Sequence, residues 1–152
     1  MSLEPILDSV KKNLNSGDID TALLDLKSAK GMAPNDFRVY YYYGQCYIKK
    51  KEYESAIENL EKAYDMNPIG LVAYYLAMTY VTSDQYQKAV DFIEDALEIE
   101  MSENIRAGIN YFKSGSYMEL GDKDKAIEAA EKAVELNPES EQYQNHLDYL
   151  KK

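Results

Sequence analysis

Four stretches of this chain align with one another without a gap: GDIDTALLDLKSAKGMAP (17–34), KEYESAIENLEKAYDMNP (51–68), DQYQKAVDFIEDALEIEM (84–101) and GDKDKAIEAAEKAVELNP (121–138). Each has alanine at one fixed place, Ala22, Ala56, Ala89 and Ala126, and again seven residues on, at Ala29, Ala63, Ala96 and Ala133. Leu26, Leu60, Ile93 and Ala130 lie between them. Successive units are 34, 33 and 37 residues apart. A period of this size marks supersecondary pieces that cannot bury their apolar faces alone and must stack on their neighbours.

Inside each unit the apolar residues recur at i, i+4 and i+7, the spacing of one helix face, and the small residues let a second helix come close. Upstream of each lies another helical stretch with Tyr47, Tyr80 or Tyr117, always nine residues before the first alanine. Gly44, Ala77 and Ser114 stand three residues before those tyrosines, again small. Pro34, Pro68 and Pro138 fall just past three of the predicted helix ends, where proline stops a helix. The spacing predicts a helix–turn–helix unit of about 34 residues, used four times.

These residues resemble the tetratricopeptide repeat family over roughly residues 3–138. The resemblance implies an all-α fold: an α-α superhelix (solenoid) of four helix–turn–helix units plus a C-terminal capping helix. The whole chain, 1–152, is then one domain, with repeats at about 3–36, 37–69, 70–103 and 107–140 and the cap at about 140–151. The chain departs from the family in having no tryptophan, with Tyr40 at the usual large-aromatic place of the second unit. Met101 replaces the third proline, and Val10 and Asn13 stand where a small residue and an aromatic are usual. The last segment places Tyr143, Leu147 and Leu150 on one face, as a terminal helix with one polar side requires. His146 and Tyr149 are then expected on its wet side. The long 37-residue spacing leaves extra residues around 102–107, either as a longer loop or as about one more helical turn. Ile105 and Ile109, at i, i+4, favour the turn, and Ser102 is placed to cap it.

Composition removes several function classes. The net charge of −10 and a pI near 4.6 argue against nucleic acid or an anionic membrane as partner. Residues 1–76 have nine basic and eleven acidic side chains, and residues 77–152 have eight and sixteen, so the second half holds most of the charge. No apolar run approaches the ~20 residues that span a bilayer. No secretory signal is visible, and the lone Cys46 cannot form an internal disulfide, which together predict a cytoplasmic protein. Cys46 lies among apolar neighbours and reads as packing rather than a nucleophile. One Cys and one His, His146, cannot build a zinc site. No phosphate-binding glycine loop or calcium loop occurs, and the carboxylates sit at surface spacing on the second helices. No enzyme activity, cofactor or metal is expected.

The resemblance implies a concave groove lined by the first helix of each unit, which in the family usually binds peptides. Projected on helices, the groove of this chain is Leu7, Lys11 and Leu14 in the first unit and Tyr41, Tyr42, Gln45 and Ile48 in the second. Tyr74, Tyr75, Met78 and Val81 follow in the third, and Tyr111, Phe112, Gly115 and Met118 in the fourth. Tyr40, Tyr43 and Tyr47 form the core-facing stripe, about 100° away around the helix, with Gly44 at the close approach. Some family members grip C-terminal carboxylates through basic groove residues. The matching places here are Leu7, Lys11, Tyr42, Leu71 and Tyr75, with a single base, so that chemistry is not expected. The expected ligand is an apolar or proline-containing segment of a protein partner, since ring faces suit prolines and aliphatic chains. The alternative is a structural scaffold that associates with copies of itself through exposed aromatic rows or its end helix.

Overall fold

The computed structural model describes residues 2–152. Nine α-helices and no strand occur among the described residues, which group into two compact units, Met1–Pro68 and Ile69–Lys152. The all-α helical-repeat expectation is met.

The first unit contains α1 (Leu3–Ser16), α2 (Ile19–Met32), α3 (Phe37–Lys49) and α4 (Tyr53–Met66). The helices pair as α1 with α2 and α3 with α4, and α3 also packs on α1 and α2. The repeated small residues make the seams: Ala22, Leu26, Ala29, Ala56, Leu60 and Ala63 are all fully buried. Gly44 is where α3 and α4 come closest. A Cβ there would sit 2.5 Å from Leu60 Cγ, so no larger residue fits without displacing the Leu60 side chain. Arg38 ties the starts of α1 and α3 together, 2.9 Å from Glu4 and 2.7 Å from Asp36. Its hydrogen bonds hold the Asp36 carboxyl below the usual carboxylate range.

The second unit contains α5 (Gly70–Thr82), α6 (Tyr86–Ala96), α7 (Glu103–Glu119), α8 (Lys123–Leu136) and α9 (Glu141–Leu150). Helix α7 packs on α5, α6 and α8, and α9 closes onto α8. Leu147 and Leu150 of α9 are buried against Ala126 and Ala130. The extra residues around 102–107 lengthen α7, which has 17 residues where α3 and α5 have 13 each. Ser102 caps it by accepting from the Ile105 N–H at 3.3 Å. Helix α6 is correspondingly short and stops at Ala96 without a proline. The guanidinium of Arg106 instead donates to the carbonyls of Leu97 (2.8 Å) and Ile99 (2.9 Å), capping the chain after α6.

The four intra-pair turns are the same turn. At one register position φ is positive: Gly17 (85°), Lys51 (60°), Asp84 (62°) and Gly121 (85°). The next N–H, of Asp18, Glu52, Gln85 or Asp122, donates five residues back to the carbonyl of Asn13, Tyr47, Tyr80 or Tyr117 at 2.8–2.9 Å. This left-handed closure satisfies the last carbonyls of each first helix. It explains why Asn13 can stand in the tyrosine position: the turn uses its backbone.

Candidate functional site

In the first unit the projected groove residues divide. Leu7, Leu14 and Tyr41 are core side chains, 1%, 8% and 8% exposed. Helical projection placed them in the groove, but a residue between two stripes is buried wherever a neighbouring helix covers it. Lys11 is exposed and pairs loosely with Asp8 at 3.7 Å. Tyr42, Gln45 and Ile48 are half-buried, and the Tyr42 ring rests against Tyr41 at 5.1 Å. On the stripe expected to face the core, Tyr40 is buried, its hydroxyl donating to the Pro34 carbonyl at 2.7 Å, but Tyr43 and Tyr47 stack only half-buried. Cys46 is fully buried, and burial pushes its thiol up to about 11, so it is inert packing.

In the second unit the projected residues come together as one aromatic surface. Tyr75 meets Tyr74 edge-on at 5.5 Å, and Tyr74 meets Phe112 at 5.1 Å. Phe112 touches Tyr111 at 6.0 Å, and Tyr111 contacts both Tyr143 and His146 at 5.1 Å. The chain of rings runs over α5, α7 and α9, and every member is half-buried. Gly108 makes the crossing possible: a Cβ there would lie 2.6 Å from the Tyr74 ring. Burial raises the phenols of Tyr74 and Tyr143, so both stay neutral donors at ordinary pH. Met78, Val81 and Met118 are half-buried alongside.

Gly115 is the opening in this surface. It follows Tyr111 by one helical turn and precedes Met118, and a Cβ built on it meets nothing within 4 Å. Between Tyr111 and Met118, about one turn away on either side along α7, the helix face is left as an open notch.

Two members escaped sequence reasoning. His146 was expected on the wet side of the last helix, yet it is half-buried beneath Tyr111, with Nε2 2.8 Å from Ser114 Oγ. The fully buried Ser114 hydroxyl spends its one proton on the Ala126 carbonyl at 2.6 Å, so it accepts from His146, whose Nε2 is therefore protonated. Burial lowers the His146 pKa below its ordinary value, and the ring stands neutral. The available signal was Ser114 itself: a hydroxyl at the small-residue position asks for a partner. The spacing of the last helix assigns Tyr143 to packing alone, yet its ring extends the surface through Tyr111. Tyr149 is 67% exposed, as expected.

Models of the tetratricopeptide repeat match residues 37–69, 72–100 and 107–140, together more than half of the chain. Among solved structures, MamA residues 41-end from Desulfovibrio magneticus RS-1 superposes with a TM-score of 0.85 at 23% identity, over 97% of this chain and 82% of that one. A MamA crystal structure gives 0.81 at 25% identity, covering 93% and 81%. TTC0263, a thermophilic TPR protein in Thermus thermophilus, gives 0.76 at 19% identity, covering 99% and 81%. None of the curated proteins compared with the chain matches it.

Proposed function

Because this chain belongs to the tetratricopeptide repeat family, a family of protein-interaction modules, we propose that it is a non-catalytic scaffold whose second unit holds an apolar or proline-containing segment of a partner protein. The segment lies along the rings of Tyr74, Tyr75, Phe112 and Tyr111 and places one side chain in the notch at Gly115. The observation that supports this reading most is the notch: a helix face rich in half-buried rings, interrupted by a glycine with open space over it. A stripe that served packing alone would be filled there, because interiors are close-packed. The first unit adds Tyr42, Gln45 and Ile48 as a smaller face of the same kind.

The test fills the notch. Gly115→Leu adds a good helix former where nothing is crowded, so the fold survives. Arrayed apolar and proline-containing peptides retained by the wild-type protein should be released by this variant. A variant that retains the same peptides with the same affinity puts the ligand elsewhere.

A second reading, self-association, has its own observation. Tyr149 stands 67% exposed at the end of α9 and lines, with Met118, Gly121, Lys123 and Leu150, a cavity of about 290 Å³. An exposed ring at the rim of such a cavity is the kind of surface a second copy could cover. Sedimentation of the wild type against Tyr149→Glu decides it: a concentration-independent monomer removes this reading. No helix among the described residues is long and apolar enough to cross a membrane.

A further inference from the structure

The fourth helix pair breaks the rule that the second and third obey. The stripe of the first helix that faces its paired helix is Tyr40, Tyr43 and Tyr47 in α3, then Ala73, Leu76 and Tyr80 in α5. In α7 the same register reads Asn110, Lys113 and Tyr117. On the second helices the matching place is Asn59 in α4, Phe92 in α6 and Ala129 in α8. Two positions of the first helix have turned polar, and the side chain facing them from α8 is only a methyl. The result is a cleft of about 510 Å³ lined by α6, α7 and α8, with Asn110 and Ala129 in its floor and Tyr117 in its wall. This stripe is rotated by about 100° from the Tyr111–Gly115–Met118 face, so the cleft is independent of the aromatic site.

Asn110 is the second, separate observation. It is only 5% exposed, and its amide nitrogen donates to the Arg106 carbonyl at 2.9 Å. That bond fixes the amide orientation, and Oδ1 has no partner among the described residues. No fully enclosed side-chain oxygen among those residues lacks a partner, so Oδ1 must be reachable through the cleft. A nearly buried acceptor left open in this way asks for a donor from outside.

Charge decides which donor. The lysines of the lining are already spoken for: Lys113 by Glu94 at 3.1 Å, Lys132 by Glu135 at 3.3 Å, and Lys125 by Asp122 at 3.9 Å. Lys125, exposed and in only a long ion pair, also lies over the Tyr117 ring at 5.3 Å, and it would swing aside for another cation to take that face. Glu128, exposed on the rim, has no ion pair among the described residues. Residues 77–152 have sixteen acidic against eight basic side chains, a field that draws cations. A guanidinium is favoured over an ammonium because its planar, weakly hydrated fork of donors can serve acceptors on floor and rim together.

We propose that the cleft between α6 and α8 is a binding site for an arginine side chain of a protein partner, with Asn110 Oδ1 and the Glu128 carboxylate as acceptors and the Tyr117 ring as its wall. The probe is N-acetyl-argininamide, titrated into isotope-labelled protein, with its neutral citrulline isostere as control. Saturable shifts should appear at the Asn110 side-chain amide and at the Tyr117 and Glu128 backbone amides, and weaken as salt is raised. Asn110→Leu, which restores an apolar floor, should abolish them. Glu128→Gln, a surface change that leaves the fold intact, should weaken binding about tenfold. Equal shifts with the citrulline probe, shifts scattered over the acidic surface, or unchanged affinity in Glu128→Gln would each overturn the assignment.

Discussion

His146 Nε2 reaches Ser114 Oγ at 2.8 Å, a link of 32 residues that holds the last helix to α7 by a buried serine. The contact has a pH consequence. Burial lowers the folded-state pKa of His146 below its ordinary value of 6.5, so the unfolded chain takes up this proton first. Its stabilising contribution is full above pH 6.5 and declines as pH falls through the folded-state pKa. Urea midpoints at neutral and mildly acid pH should fall further for the wild type than for His146→Gln, which keeps a donor for Ser114 without titrating. Parallel declines in the two proteins would show that the carboxylates alone set the dependence.

Gly44 leaves no room for a methyl group. Its missing Cβ would stand 2.5 Å from Leu60 Cγ and 2.7 Å from Cδ2. Gly44→Ala gains helix propensity of about 1 kcal/mol and loses about 1–3 kcal/mol to overpacking, so a net loss is expected. Leu60→Ala, which removes the clashing atoms, should cost less in the Gly44→Ala background than in the wild type. Equilibrium urea unfolding of the two single variants and the double variant measures the coupling.

Lys51 takes the left-handed conformation that Gly17 and Gly121 take without strain. Lys51→Gly should therefore stabilise the protein by about 1 kcal/mol, against the usual direction of glycine substitutions. Asp84→Gly should gain less, because the Asp84 carboxylate also accepts the Tyr86 hydroxyl at 2.8 Å. Thermal midpoints of the two variants test the ranking.

Arg106 holds the chain between α6 and α7 through two carbonyls. Arg106→Met keeps most of the stem and loses both bonds, at about 1.5–3 kcal/mol for each bond to a charged group when fully formed, less where water reaches the site. Amide exchange should accelerate over residues 97–102 in this variant before anywhere else. Unchanged exchange there would mean that Ser102 alone sets the start of α7.

The repeated alanines, Gly44 and the proline stops were legible because helix–helix seams impose a fixed local period, and period survives in one dimension. The aromatic face of α5 and α7 was legible for the same reason: Tyr74, Tyr75, Tyr111 and Phe112 share a helix direction whatever packs behind them. The extra residues at 102–107 could be read two ways. The choice fell to particular contacts, the Ser102 cap on Ile105 and the Arg106 bonds to Leu97 and Ile99.

Tertiary structure alone decided how far each ring is covered. Tyr41 is core and Tyr42 half-open although they are neighbours in the chain, because coverage depends on helices far away in sequence. His146 shows the same limit: its own helix pattern put it on the wet side, and only the docking of α9 beside α7 supplied Ser114. Sequence periodicity thus determined which way side chains point, since direction is a property of one helix. Burial, partner and empty volume were set by packing, since each is a property of several helices at once.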